Sequence, residues 1–364
     1  MTSMVRRWQT EEADTYVVSL VRAILGALLL LSGLGNWREV TIFRGDLGFA
    51  DVFHIALLPE ALLPGRALFA ALLVAQLVLA MLVMVGWFAR PAMVATAVVG
   101  LYLLSCDRLA YHNNRYALLL FALLLALAPC DRAFVWRRSA QTPAQRQGPL
   151  WAARLAQLQM AIIYLASGVS KLLDSDWREG RVIGDRLVRA TSLAVAKGVP
   201  AALMEALANP TLASALAKVA IFTELFLALG LFLPRTRTFA LWWGVMFHLT
   251  IEATSQVELF TWLSLTMYAL FAAPTLRERA VLYHPARPWG GWLARGVARL
   301  DWLARFDIRA DAGAASGHDF VIVERDGTRA TGLLGVAWIA RATPVLFPLF
   351  LPLRLLAFAF SSRV

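Results

Sequence analysis

The residues best suited to chemistry gather between Gln157 and Gly180. Gln157, Tyr164 and Lys171 recur every seven residues, so they share one stripe of a helix. Of the 35 Lys and Arg residues only three are lysines, Lys171, Lys197 and Lys218. Lys171 stands where an apolar run gives way to a polar turn. Keeping a lysine there points to a task that arginine's permanent charge forbids, such as giving up a proton. The alternative is a stem that snorkels along apolar surface to bring its ammonium to the headgroups. Gly168 lies close to the stripe and would admit either a flat ligand or a neighbouring helix backbone. Lys197 reads as a solvated face residue.

Two more polar residues fall inside apolar runs. Glu224 sits mid-run, too deep to reach water, so it needs a partner or a proton. His248 lies near the end of another run, where a lone histidine is either a satisfied structural residue or part of a pocket. The cysteines, Cys106 and Cys130, bracket one expected helix on the order of 35 Å long, which rules out a disulfide between them. They read as small buried residues at helix ends. No Cys/His pattern suggests a metal.

The elements that must hold these groups are membrane helices. The chain of 364 residues is 59% hydrophobic and 16% charged, with a mean hydropathy of +0.62. A soluble domain carries about a quarter charged residues. Eight apolar runs approach spanning length, near 15–34, 65–86, 90–106, 115–130, 150–172, 211–233, 237–253 and 257–274. The net charge of +11 comes from arginines in short loops, which implies topology signals rather than nucleic acid. Arg6 and Arg7, Arg90, the group Arg132, Arg137, Arg138, Arg146 and Arg154, the pair Arg235 and Arg237, and Arg277 with Arg279 fall on one side if all eight runs cross. The opposite loops are mixed in charge. Both termini are therefore expected in the cytoplasm, with Lys171 at the outer face. Outside, a long semi-apolar first loop includes Gly48, Phe49, Phe53 and Leu57-Leu58-Pro59. Ile183 to Lys197 reads as a re-entrant or interfacial helix, punctuated by Pro200 and Pro210.

Tyr164-x3-Gly168-Val-x-Lys171-Leu, followed by Asp176-Trp177-x-Glu179-Gly180, resembles the vitamin K-dependent gamma-carboxylase and its bacterial relatives, the HTTM family. The resemblance covers roughly 14–275. It implies that Lys171 is a catalytic base acting on a hydroquinone, with a vitamin K-like quinone as cofactor and no metal. It also implies substrate-binding roles for Tyr164, Gly168, Trp177, Glu224, His112, Asn114 and His248. Relatives carry Asn-His before a Tyr where this chain has His112-Asn113-Asn114-Arg115-Tyr116, so the histidine is displaced. Phe247-His248, followed by Glu258-Leu259-Phe260-Thr-Trp262, continues the likeness.

After residue 275 the pattern changes. Val281–Tyr283, Phe306–Arg309 and Phe320–Glu324 read as strands, Trp289–Leu303 and Gly332–Arg341 as helices, and Asp326-Gly327 as a hairpin turn. Leu282-Tyr283, Leu300-Asp301-Trp302-Leu303 and Val323-x-x-Asp326-Gly327 resemble a shortened DCC-type, thioredoxin-like module. Arg287 and Gly290 stand where that family has its two cysteines, so thiol–disulfide exchange is excluded. Pro344–Phe360 is apolar, but Pro344, Pro348, Pro352 and Arg354 make it an interfacial segment rather than a ninth span.

The expected architecture is thus an all-α polytopic membrane protein with a small α/β remnant. Residues 1–14 form a cytoplasmic N-terminus, 15–275 the HTTM-like domain, and 276–364 a cytoplasmic DCC-like domain with an apolar tail. The expected location is a bacterial inner membrane. The expected activity is carboxylase-like, lyase-type base chemistry on a quinol-like or other lipophilic substrate at the outer interface. A non-catalytic scaffold or maturation factor for a secreted peptide, and a quinone-binding redox partner, are the alternatives. Its partners are the bilayer and a secreted peptide or protein, not nucleic acid.

Overall fold

The computed structural model describes residues 10–40, 54–108, 111–136, 141–255, 257–272 and 277–361. Arg6, Arg7, Arg137, Arg138, Gly48, Phe49 and Phe53 lie outside them. The chain divides into two compact units, Met1–Leu229 with His248–Phe271, and Gly230–Phe247 with Ala272–Val364.

All eight apolar runs are helical. They form α1 (Tyr16–Arg38), α2 (Arg66–Val85), α3 (Ala89–Cys106), α4 (Asn113–Ala126) and α5 (Trp151–Leu173). Short helices α6 (Ser175–Arg178), α7 (Arg181–Ala196) and α8 (Ala201–Ala208) follow, then α9 (Pro210–Gly230), α10 (Arg237–Thr254) and α11 (Phe260–Tyr268). Of these, α1, α2, α3 and α9 are long and apolar enough to cross a membrane. The fourth and eighth runs give helices shorter than their sequence suggests. Helix α4 stops at Ala126, four residues short of Cys130, and α11 passes into a 3₁₀ turn over Ala269–Ala272. Both cysteines are free and buried.

In the first unit, α1 packs on α2, α2 on α3, α3 on α4, and α4 on α5. Small residues set the spacing: a Cβ at Gly26 would collide with the Met84 backbone, so α1 and α2 meet there. One side chain ties one end of this unit together. Arg22 of α1 is fully buried. It donates to Val83 O at 2.8 Å and Met84 O at 2.9 Å, to Ala133 O at 2.8 Å and Phe134 O at 2.9 Å, and to Cys130 O at 3.3 Å. The last carbonyls of α2 have no partner within their own helix, so one guanidinium satisfies acceptors from two chain segments. Gly86, at φ +79°, completes the nest, because a Cβ there would lie 3.0 Å from the Arg22 guanidinium and 2.9 Å from Phe134 O.

At the same end β1 (Glu12–Asp14) pairs antiparallel with β2 (Gln147–Pro149). Asp14 accepts from Arg146 at 2.8 Å and Glu11 from Arg154 at 2.8 Å. The segment just before α1, the α2–α3 turn and the described part of the α4–α5 connection therefore share one end. The other end is held by Arg115, which reaches Asn36, Glu39 and Glu258. Lys197 is there too. It is exposed, as expected, and it donates to the Glu252 carbonyl at 2.5 Å and pairs with its carboxylate at 3.3 Å. The amphipathic stretch after α5 forms α7, and its Leu187 and Ala194 pack on Met204 of α8.

In the second unit β3 (Arg279–Tyr283) runs parallel to β4 (Phe306–Ala310) and antiparallel to β5 (Phe320–Val323), which pairs with β6 (Arg329–Ala330). The sheet order is β4-β3-β5-β6. Helices α12 (Pro288–Leu300) and α13 (Gly332–Ala342) supply Val297 and Ile339 to a core with Val281, Phe306, Phe320 and Ile322. Helix α12 ends three residues before Leu303, because Asp301 accepts the backbone N–H groups of Arg305 and Phe306 and turns the chain. The apolar tail is a 3₁₀ turn, Pro344–Leu349, followed by α14 (Phe350–Ser361).

Arg22→Met should cost at least about 3 kcal/mol, because several buried carbonyls lose a charged donor at once. Arg22→Lys, with three donors, should fall between. Thermal unfolding of the purified protein in detergent measures both, and a melting point unchanged in Arg22→Met would remove this residue from the account.

Candidate functional site

The stripe on α5 meets a partner at every turn. Gln157, nearest the β1–β2 end, donates to Leu270 O at 2.8 Å and accepts from Arg154 at 3.1 Å. Tyr164 is buried in mid-helix. Lys171 closes the last turn.

Lys171 finds Glu224 of α9. Its ammonium lies 2.8 Å from Glu224 Oε1 and 2.7 Å from Oε2. It also contacts Ser167 Oγ, one turn earlier on α5, and Ser167 donates to Glu224 Oε1 at 3.1 Å. The side chains of Lys171 and Glu224 are 16% and 9% exposed. The carboxylate that needed a partner or a proton thus has a partner, the Lys171 ammonium. Gly168 makes the meeting possible. A Cβ there would stand 2.9 Å from Leu225 Cδ2 and 3.3 Å from Glu224 Cβ, so its missing side chain lets α9 approach.

The polar turn after Lys171 adds an aromatic wall. Asp174 caps α6 by accepting from the backbone of Asp176 at 2.8 Å and Trp177 at 3.3 Å. The Trp177 ring then lies between the Lys171 ammonium, 4.9 Å from its centroid, and the Arg186 guanidinium, at 5.0 Å. Gly180 has φ +85°, and a Cβ there would strike the Ser214 backbone. Glycine at this point of the motif therefore answers to backbone geometry and to a close approach between chain segments.

Tyr164 and His248 form a second group. The Tyr164 hydroxyl is 2.6 Å from His248 Nε2 and 2.5 Å from the Tyr268 hydroxyl. All three side chains are buried. A hydroxyl donates once and accepts from the other neighbour, so the chain runs Tyr268 to Tyr164 to His248 or the reverse. Such a row can hand a proton along without any residue leaving its place.

His112 and Asn114 lie in a third group, at the start of α4. His112 caps the helix by accepting from Asn114 N at 3.3 Å, and its ring faces Glu258 at 3.7 Å. Asn114 donates to Val257 O at 2.9 Å. Beside them, Asn36, Gln76, Asp107 and Arg115 help line a cavity of about 20 Å³, roughly the space one water molecule needs. A wider recess of about 530 Å³ opens between α7 and α8, lined by Val188, Thr191, Met204, Glu205, Ala208 and Asn209. Lys171 is in the wall of neither.

Sequence reasoning missed Ser167, Tyr268 and Arg115. Ser167 could have been found from its spacing of four residues before Lys171. Tyr268 and Arg115 carried no local signal, since only the fold brings their partners near.

These features define a helical membrane protein with a charged pair joining two of its helices. The chain belongs to the HTTM domain family, whose model matches residues 10–275. No curated protein and no solved structure matches it.

Glu224→Gln should lower stability by about 2 kcal/mol, because it leaves a part-buried ammonium without its counter-charge. Lys171→Met combined with Glu224→Met should recover most of that loss. Thermal unfolding of the single and double variants tests the pair, and fully additive losses would mean that the two side chains are not coupled.

Proposed function

We propose that the chain is an eight-span protein of a bacterial inner membrane with both termini cytoplasmic. We further propose that the Lys171–Glu224 pair, at the outer end of α5, performs general-base chemistry on a lipophilic acid such as a quinol. The alternation of chain ends in the first unit supports the crossing number and the orientation. The mixed sheet, with a parallel β3–β4 unit, an antiparallel hairpin and a closing helix, supports the thioredoxin-like reading of residues 276–364.

One observation carries the catalytic reading. The amine is neither loose in water nor sealed in apolar packing, but held against a carboxylate beside an aromatic ring. Before Lys171 can act as a base, its Nζ must release a proton, and Glu224 is the acceptor within reach. The neutral amine can then take the proton of a substrate hydroxyl, so the net transfer is from substrate to carboxylate. Trp177 offers a flat aromatic face to a flat ring. The vitamin K-dependent carboxylases, which the sequence resembles, supply the analogy for a lysine in this role.

The non-catalytic reading is favoured by a different feature. The recess between α7 and α8 is open and lined by side chains of mixed polarity, which suits a bound peptide better than a small flat ring. In that case Lys171 and Glu224 would be a helix-joining pair.

Lys171→Arg separates the two, since arginine keeps the charge and the carboxylate contact but not the transferable proton. Purified wild-type protein in nanodiscs should accelerate oxygen consumption by a reduced naphthoquinone. The variant should do so at least about a hundredfold more slowly, in line with the contribution of a general base, while retaining the wild-type melting point. Equal rates in the two proteins would leave only the structural role.

A further inference from the structure

Four guanidinium groups crowd one part of the second unit. Arg279 on β3 donates from Nε to Glu324 Oε1 at 3.0 Å, and Arg341 of α13 donates to the same oxygen at 2.7 Å. Arg305, which precedes β4, lies within electrostatic reach of Arg279 and Arg341, and Arg354 of α14 lies within reach of Arg341. Among the described residues, Glu324 and Asp301 are the carboxylates that act on Arg305. Glu324 is shared by two arginines. Asp301 spends one oxygen on the backbone N–H of Arg305, at 2.7 Å, and the other on that of Phe306, at 2.9 Å.

The donors are correspondingly under-used. Arg279 Nη1 and Arg305 Nε are buried and have no hydrogen-bond partner among the described residues. Arg305 spends Nη1 on Ala272 O at 3.3 Å. Burying guanidinium donors without acceptors is costly. A phosphate, with several anionic oxygens, is the ligand whose shape and charge match a guanidinium fork.

The surroundings identify the source of that phosphate. Leu355 is 61% exposed, Phe358 73% and Phe360 61%, all on the helix that carries Arg354. The Trp242 indole holds the start of this tail by donating to Pro348 O at 2.9 Å. In the sequence, Arg279 follows the 3₁₀ turn Ala269–Ala272 by seven residues. A cationic cluster beside an exposed apolar helix has the composition of a lipid site: cations for a headgroup, apolar side chains for acyl chains.

We propose that Arg279, Arg305, Arg341 and Arg354 bind the phosphate of an anionic phospholipid, with α14 lying along its acyl chains. The site is independent of Lys171.

The test uses the full chain in detergent with phosphatidylglycerol, phosphatidylcholine or inorganic phosphate added, read by native mass spectrometry and melting temperature. Phosphatidylglycerol should stay bound and raise the melting point, and phosphatidylcholine should do neither. Arg341→Gln should weaken phosphatidylglycerol binding at least about tenfold, the loss expected for one charge-assisted contact. Arg329→Gln, at the exposed position of β6 in the same unit, should bind like wild type. Equal effects of the two lipids, or undiminished binding by Arg341→Gln, would overturn the proposal. So would a full response to inorganic phosphate alone, which would make the ligand a soluble anion. If Arg341→Gln fails to fold, the two-lipid comparison on the wild-type protein decides.

Discussion

A guanidinium buried among helices must find every acceptor it needs inside the protein, because hydrocarbon offers none. Arg22 meets that demand with five backbone carbonyls from the α2 terminus and the segment after α4. The exchange runs both ways, because those carbonyls lie where helix geometry leaves acceptors unused. One side chain thereby fixes where three segments meet, and Gly26 and Gly86 are the small residues that let them come so close. The rest of the first unit inherits its alignment. With that end pinned, β1 reaches β2, and α5 starts in a position that directs Gln157, Tyr164 and Lys171 toward partners on α9, α10 and the α11 region.

Two cations of the first unit, Arg22 and Lys171, are held in different ways. Arg22 is bound to neutral carbonyl dipoles and keeps its charge. Lys171 is bound to Glu224, a group that can accept a proton, through contacts that include Ser167. A packing role would be served by either kind of contact, but only the second joins groups that can change protonation state in company. That difference, rather than burial alone, makes the C-terminal end of α5 the place to look for chemistry.

The helices were legible because they are long apolar runs broken by Pro, Gly and charge, and the eight runs correspond to eight helices. The strands β3, β4 and β5 and the Asp326-Gly327 turn of the second unit were equally plain, since short runs rich in β-branched and aromatic residues and turn chemistry are local signals. The heptad of Gln157, Tyr164 and Lys171 correctly marked an inward face. What the sequence withheld was pairing. Nothing near Glu224 announces Lys171, 53 positions away, and nothing near Tyr164 announces Tyr268. The exposed Lys197 also meets a partner that the sequence does not announce, as Glu252 lies 55 positions on. Arg22 was overlooked because attention fell on groups that titrate, whereas its task is to satisfy acceptors that no side-chain pattern records.

The order in which the chain is made gives Arg22 a further significance. Its first acceptor, Val83, follows by 61 residues and its last, Phe134, by 112. At an elongation rate of about 5–20 residues per second, the ribosome needs roughly 3–12 s to reach even the first of them. During that interval α1 carries an uncompensated cation on an otherwise apolar segment. It cannot settle in the bilayer as a finished unit and has to be sheltered, by the insertion machinery or by lipid phosphates, until α2 arrives. Helix α1 is thus completed only after α2 and the segment following α4 have been made.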